Sequence, residues 1–409
     1  MSVNSSEIYE ECDLLESTIS LTSRLYSLEP IGIGTAYIES LTGYSARIAK
    51  AHCLSMSALF EREIAPLMDK AYLLRGGARP ELRGSTLSNS FRFRLRAING
   101  MGVIAKDWVQ SLEALTLRSN FELLTMLPWA GVISQKYLLH TNRAWCPACY
   151  EEWRVNGQEI YEPLIWALKV VTACVRHKRR LSFRCHHCNK QLFSLARRSH
   201  PGCCSNCRKW LGSKNQANSV EESVSDNEIV WQHWVLENLG GLFAAAPNLQ
   251  ILPQKKRLRK VIDLCIEQLA EGNLTRFASL LKKQKTTVWG WRSGHTKIPM
   301  ADLLRICYCI GLSSIEFLTN ENLELKCENI RLLPLNQFPN TERAIRHKAF
   351  PDRNKTQDTL KGVLKEVPPP SVQEVAKRYT YDKRQLYKHF PDLCHSIAAR
   401  YLKYVKAPR

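Results

Sequence analysis

The chain has 409 residues, enough for two to four domains at about 100–200 residues each. Its composition is 44% hydrophobic, so it can bury real cores, but no run approaches the roughly 18 uninterrupted apolar residues of a membrane-spanning helix. The 58 Lys and Arg against 38 Asp and Glu give a formal net charge of +20, a balance that favours a polyanionic partner, usually nucleic acid.

The opening stretch, MSVNSSEIYEECDLLESTIS, lacks the basic and apolar regions of a secretory signal, so a cytoplasmic protein with unpaired thiols is expected. Residues 1–30 read as a weakly structured arm within a helical N-terminal domain, 1–140. After a turn at Pro30–Gly34, Ile38, Leu41, Ile48 and Ala49 recur at helical spacing. Ser55 is placed to cap a second helix, SALFEREIAPLM, with Glu61 and Glu63 in its early turns. The Gly/Pro/Ser-rich stretch 75–90 reads as a loop, and FELLTMLPW as a further helix and turn.

Residues 141–212 form a cysteine-rich module. One set is Cys146-x2-Cys149 followed, 24 residues on, by Cys174-x2-His177; the other is Cys185-x2-Cys188 followed, 15 residues on, by Cys204-x2-Cys207. The second spacing fits the C-x2-C-x15–20-C-x2-C zinc pattern. Each x2 pair turns two ligands toward one ion. Four ligands close the tetrahedron and leave no position for a reactive water, so two structural Zn2+ ions are expected in a tandem zinc-finger module with short β-hairpins. Cys203 competes with Cys204 as a ligand, and His186, His187 and His200 read as solvent-facing. Cys265, Cys307 and Cys309 sit in apolar helical contexts and read as core. From Pro163 to Val220 there are 12 Lys and Arg and no acid. Some of that charge offsets the thiolates. The excess, centred on Arg176, Lys178, Arg179 and Arg180, reads as a phosphate-contacting run.

A polar stretch, 213–228, reads as a linker to a helical domain, 229–335. Within it LTRFASLLKK has Leu274, Phe277, Ala278 and Leu281 on one face. After a turn at Gln284–Lys285, TTVWGWRSG turns Val288 and Trp291 inward. Gly294 stops that helix, and Pro299 is expected at the first position of the next, which ends at Gly311. This is a helix-turn-helix order, in which the second helix enters the major groove of double-stranded DNA. It leaves Lys285, Thr286, Thr287, Trp289 and Arg292 for the DNA, Arg292 as the guanine reader, and His295 and Lys297 for phosphates. A second linker, 336–356, leads to another such unit, 357–409. There Ser371 and Glu374 form a capping box, Val372, Val375, Ala376, Leu386 and Phe390 face inward, Pro391 ends a helix and Asp392 caps the last one. Tyr381, Lys383, Arg384, Gln385, Tyr387, Lys388 and His389 are left outside, basic and aromatic residues interleaved as backbone contact requires. The expected fold class is therefore mainly α. A P-loop, an HExxH helix and acidic residues at metal spacing are all missing, so no enzymatic centre is expected.

Three stretches together resemble the TniQ/TnsD family of transposon target-site selectors. They are GIGTAYIESLTGYSARIAKAH (32–52), the cysteine block from WCPAC (145–149) through Trp153, YEPLIW (161–166), CVRH (174–177) and Leu181 to CHHC (185–188), and SVQEVAKRYTYDKRQLYKHFPDL near the end. The resemblance implies a bacterial, DNA-associated adaptor that marks an attachment site and recruits an AAA+ regulator ATPase (TnsC-like), which brings the transposase. Residues 1–140 would carry the ATPase docking. The helix-turn-helix units after the cysteine module favour direct DNA binding; the other mode in the family couples an RNA-guided CRISPR effector to transposition.

Overall fold

Ser40 decides where the first helix begins. Its Oγ accepts from Gly43 N at 3.1 Å, and helix α1 runs Leu41–Ala51 with almost every residue buried. The computed structural model describes residues 22–68, 95–213, 224–320, 353–379, 386, 387 and 389–406. The chain divides into two units, Met1–Thr341 and Glu342–Arg409, and the fold is mainly α, as its periodicity implies.

In the first unit Ser55 caps α2 (Met56–Leu59), which continues as a wider turn, Phe60–Ile64, and a tighter one, Ala65–Leu67. The 75–90 loop and residues 1–21 of the arm lie outside the described residues. The remainder of the arm is not loose: Leu25 is buried, and Leu28 O accepts from the Tyr44 hydroxyl at 2.9 Å. Helix α3 (Val103–Thr116) lays Trp108 against Phe60, and its indole N–H donates to Ser45 Oγ at 2.9 Å. Glu39 and Arg47 form a buried two-pronged ion pair at 3.0 and 2.8 Å. FELLTMLPW forms two short 3-10 turns, Phe121–Leu124 and Leu127–Trp129, in place of a longer helix. Helix α4 (Pro147–Val155) and a hairpin of two antiparallel strands, β1 (Ala173–Cys174) and β2 (Arg179–Arg180), carry the first cysteine set. Around the second set only isolated bridges occur, such as Cys203 with Trp210.

Helix α5 (Asp226–Ala245) begins inside the expected linker, because Ser225 caps it and Glu228 stands at its third position. Residues 214–223 of that linker lie outside the described residues. α5 packs closely on the N-terminal turn: a Cβ added at Gly240 would sit 2.6 Å from the Ala36 methyl. Helices α6 (Lys255–Ala270), α7 (Leu274–Leu280), α8 (Lys285–Arg292), α9 (Met300–Ile310) and α10 (Ser314–Thr319) follow. Phe277, Ala278 and Leu281 are buried as their spacing requires, and so are Val288 and Trp291. Pro299 proves to be the N-cap of α9 and not its first residue, while Gly311 closes that helix in the left-handed conformation, φ 68. Cys265 and Cys307 are fully buried and Cys309 half-buried.

In the second unit, α11 (Arg353–Val363), α12 (Val372–Arg378) and α13 (Pro391–Lys406) enclose a small core that includes Leu360, Val375, Leu386 and Cys394. α11 starts inside the expected second linker, the rest of which lies outside the described residues. Ser371 Oγ accepts from Glu374 N at 3.1 Å. Pro391 opens α13 instead of ending the helix before it, which moves Asp392 from the cap into the first turn. The proline lacks the N–H that a first helical position leaves unused. No helix among the described residues is long and apolar enough to cross a membrane.

Candidate metal centres and nucleic-acid interface

Cys146, Cys149, Cys174 and His177 bring their ligand atoms within 4.8 Å of one another, and so do Cys185, Cys188, Cys204 and Cys207. Zinc–sulfur bonds of about 2.3 Å set tetrahedral sulfur–sulfur edges of roughly 3.8 Å. The observed edges agree: Cys149–Cys174 3.7 Å, Cys185–Cys207 3.7 Å and Cys188–Cys204 3.8 Å. His177 presents Nδ1 at 3.3–3.6 Å from the three sulfurs of its set. Both quartets therefore suit a tetrahedral metal ion, and their thiolate and imidazole donors suit zinc. With four protein ligands each, neither set leaves a place for substrate.

The first set joins two elements remote in sequence. Cys146 and Cys149 stand at the start of α4, and Cys174 and His177 on the β1–β2 hairpin. All three cysteines are buried. His177 Nε2 faces Glu152 Oε2 at 3.5 Å, the carboxylate–imidazole arrangement that fixes a metal ligand's ring and tautomer. The other Glu152 oxygen pairs with Arg176.

The second set is one knuckle made twice. Asn189 N donates to Cys185 O at 2.8 Å and Cys185 N to Lys190 O at 3.0 Å; Arg208 N donates to Cys204 O and Cys204 N to Lys209 O, both at 2.9 Å. Asn189 and Arg208, each just after the second ligand, are left-handed at φ 53 and 64. That turn aims the peptide N–H groups at sulfur, with His187 N on Cys185 Sγ and Asn206 N on Cys204 Sγ, both 3.4 Å. Cys204, and not Cys203, stands in the quartet. Cys203 instead pairs its backbone with His200 and Trp210, and His186, His187 and His200 stand outside both quartets.

The two sets are tied through α4 and Arg143. Trp210, beyond the second knuckle, donates its indole N–H to Glu151 on α4 at 2.9 Å. Arg143, almost fully buried, meets Glu162 at 2.8 Å, the Tyr150 hydroxyl at 3.1 Å and Cys203 O at 3.1 Å. Burial pushes the Glu162 carboxyl above its ordinary range, and the neighbouring guanidinium opposes that shift. Sequence reading missed Arg143, Glu151, Glu152 and Glu162. The only local signal was their occurrence beside metal ligands in otherwise apolar segments.

The residues assigned to DNA are placed unevenly. Lys285 and Thr286 are exposed at the start of α8 and Thr287 is half-buried. Trp289 is 52% exposed and stacks on His295, ring centroids 5.2 Å apart. Arg292 is exposed but bonds to Asp263 at 2.5 Å, and Lys297 turns inward onto Ala130 O. Lys178 is exposed, and Arg180 is held in a two-pronged pair with Glu228 at 2.7 Å. Arg179 is a correction: it is only 7% exposed, so it drops out as a surface contact. In the second unit Tyr387 and His389 are half-buried, while Tyr381, Lys383, Arg384, Gln385 and Lys388 lie outside the described residues.

No curated protein matches the chain. Residues 30–181, which span α1 to β2 and so contain the whole first quartet, match the family model described as TniQ.

Proposed function

We propose, from the match of residues 30–181 to the TniQ family model, that this chain is a non-catalytic, DNA-binding adaptor of transposition that selects an attachment site and recruits an AAA+ ATPase. One observation carries the choice of direct site recognition. Helix α8 presents Lys285 and Thr286 of its first turn and Trp289 of its second to solvent, while Val288 and Trp291 anchor the opposite face in the core. A short helix held from behind, with a basic and hydroxyl-bearing N-terminal face, suits insertion into a major groove. The metal centres, each closed by four ligands, hold the surrounding segments in place and take no part in chemistry. Lys178 and the net charge of +20 add backbone attraction.

The test is selection from a random duplex library with the full-length, zinc-loaded protein. A recovered consensus, bound at least about 1000-fold more tightly than random duplex, is expected. Binding without sequence preference overturns direct site selection and leaves the coupling to an RNA-guided effector, which co-purification with the guide complex then reads. ATPase recruitment is read separately, by co-sedimentation of the ATPase on DNA in the presence of this chain.

A further inference from the structure

Tyr137 is the odd residue of the segment between Gly131 and His140. Its backbone is left-handed, φ 59, a region that bulky side chains rarely enter, and its ring is 52% exposed. The conformation is held from both sides. Lys136 N donates to Ser134 Oγ at 3.2 Å, and Lys169 N donates to Leu138 O at 2.8 Å. An exposed aromatic fixed in a costly backbone conformation points to a role for that side chain, since strain of about 1–3 kcal/mol persists mainly where something uses it.

Two lysines from separate stretches flank the ring, Lys136 with Nζ 5.2 Å and Lys169 with Nζ 4.8 Å from its centroid. Neither has a carboxylate partner among the described residues. In this they differ from Arg176, Arg180 and Arg292, whose charges meet Glu152, Glu228 and Asp263. The loop is also continuous with the α8 surface. Ile133 bridges Ile298, Ser134 N donates to Ile298 O at 2.8 Å, and Gln135 and Lys136 share one groove with Thr286 and Thr287.

We propose that Lys136, Tyr137 and Lys169 form a phosphate-gripping platform on the TniQ domain that holds the backbone of the same DNA duplex whose major groove α8 enters. The inference rests on the α8 reading for the identity of that duplex. The two ammonium groups neutralise adjacent phosphates, the Tyr137 hydroxyl donates to a phosphate oxygen, and the ring keeps both lysines oriented before DNA arrives.

The experiment measures the affinity of the zinc-loaded full chain against salt concentration, for the selected duplex and for random duplex. Lys136→Ala and Lys169→Ala should each reduce the steepness of log K against log salt by about 0.9, equally on both DNAs. Lys106→Ala, on α3, is the control for lost net charge and should leave the slope unchanged. Tyr137→Gly should weaken binding several-fold without lowering the thermal midpoint, because glycine accepts a positive φ freely. Thr286→Ala should change sequence preference and leave the slope alone. Unchanged slopes in both lysine variants overturn the platform. If the wild-type chain shows no preferred sequence, the α8 reading fails; the slopes on random duplex still decide the platform.

Discussion

The two candidate metal centres each gather four ligands, three cysteines and a histidine in the first and four cysteines in the second, and they differ further in what surrounds them. The first ties the N-terminus of α4 to the β1–β2 hairpin, with its three cysteines buried. Tyr150 and Trp153, on the same helix, pack against Trp166. The second pairs two copies of a self-contained knuckle, and Cys188 and Cys207 are half-exposed. A metal site built from remote pieces carries the fold around it, whereas one built from local turns carries mainly itself. Similar cysteine spacings thus give different consequences for stability.

The largest expected effect tests that contrast directly. Cys149→Ser should remove one zinc per chain and collapse most of the first unit, since structural zinc in small domains contributes on the order of 10 kcal/mol or more of folding free energy. Cys188→Ser should also lose one zinc yet keep most of the helical signal. Zinc content with circular dichroism reads both, and equal collapse in the two variants sinks the comparison. Next comes Glu162→Gln, which leaves the Arg143 charge buried without its partner and should cost about 3–5 kcal/mol in urea unfolding. A cost under about 1 kcal/mol would mean that the pair does not tie the centres together. Glu152→Ala removes the support of His177 and should weaken zinc at the first centre by about 10–100-fold in chelator competition, leaving the second centre untouched. The smallest effect belongs to the second knuckle. Arg208→Gly places glycine at a left-handed position and should raise stability by at most about 1 kcal/mol, seen as a small upward shift of the thermal midpoint.

What the sequence revealed follows the range of the interactions. The ligand quartets were legible because two residues of separation within each pair is a local constraint, and the inward faces of α7 and α8 because a buried stripe repeats every turn. Long-range pairings left no such trace. Nothing near Arg143 announces Glu162, and nothing near Thr172 announces Gln232. The start of α5 was hidden by its polar surroundings, although Ser225 and Glu228 are a capping signature. Three of the cations read as surface contacts, Arg176, Arg180 and Arg292, turned out to have acidic partners in the chain, and Arg179 to be buried, because charge counting ignores what folding brings alongside.

Helix α5 has a consequence for any metal titration of this protein. Gln232 accepts from Thr172 N and Ala173 N and donates to Val170 O, clasping the strand that carries Cys174. Six residues on, about 9 Å along the same rod, Asn238 accepts from Ser314 N at 2.6 Å, and Trp234 donates to Leu304 O. The hairpin and the helices behind α8 thus hang from one stiff member. Stripping the first ion should speed amide hydrogen exchange at Ser314 as well as at Ala173, and a chelator will mimic a DNA competitor although no ligand of the ion needs to touch a base.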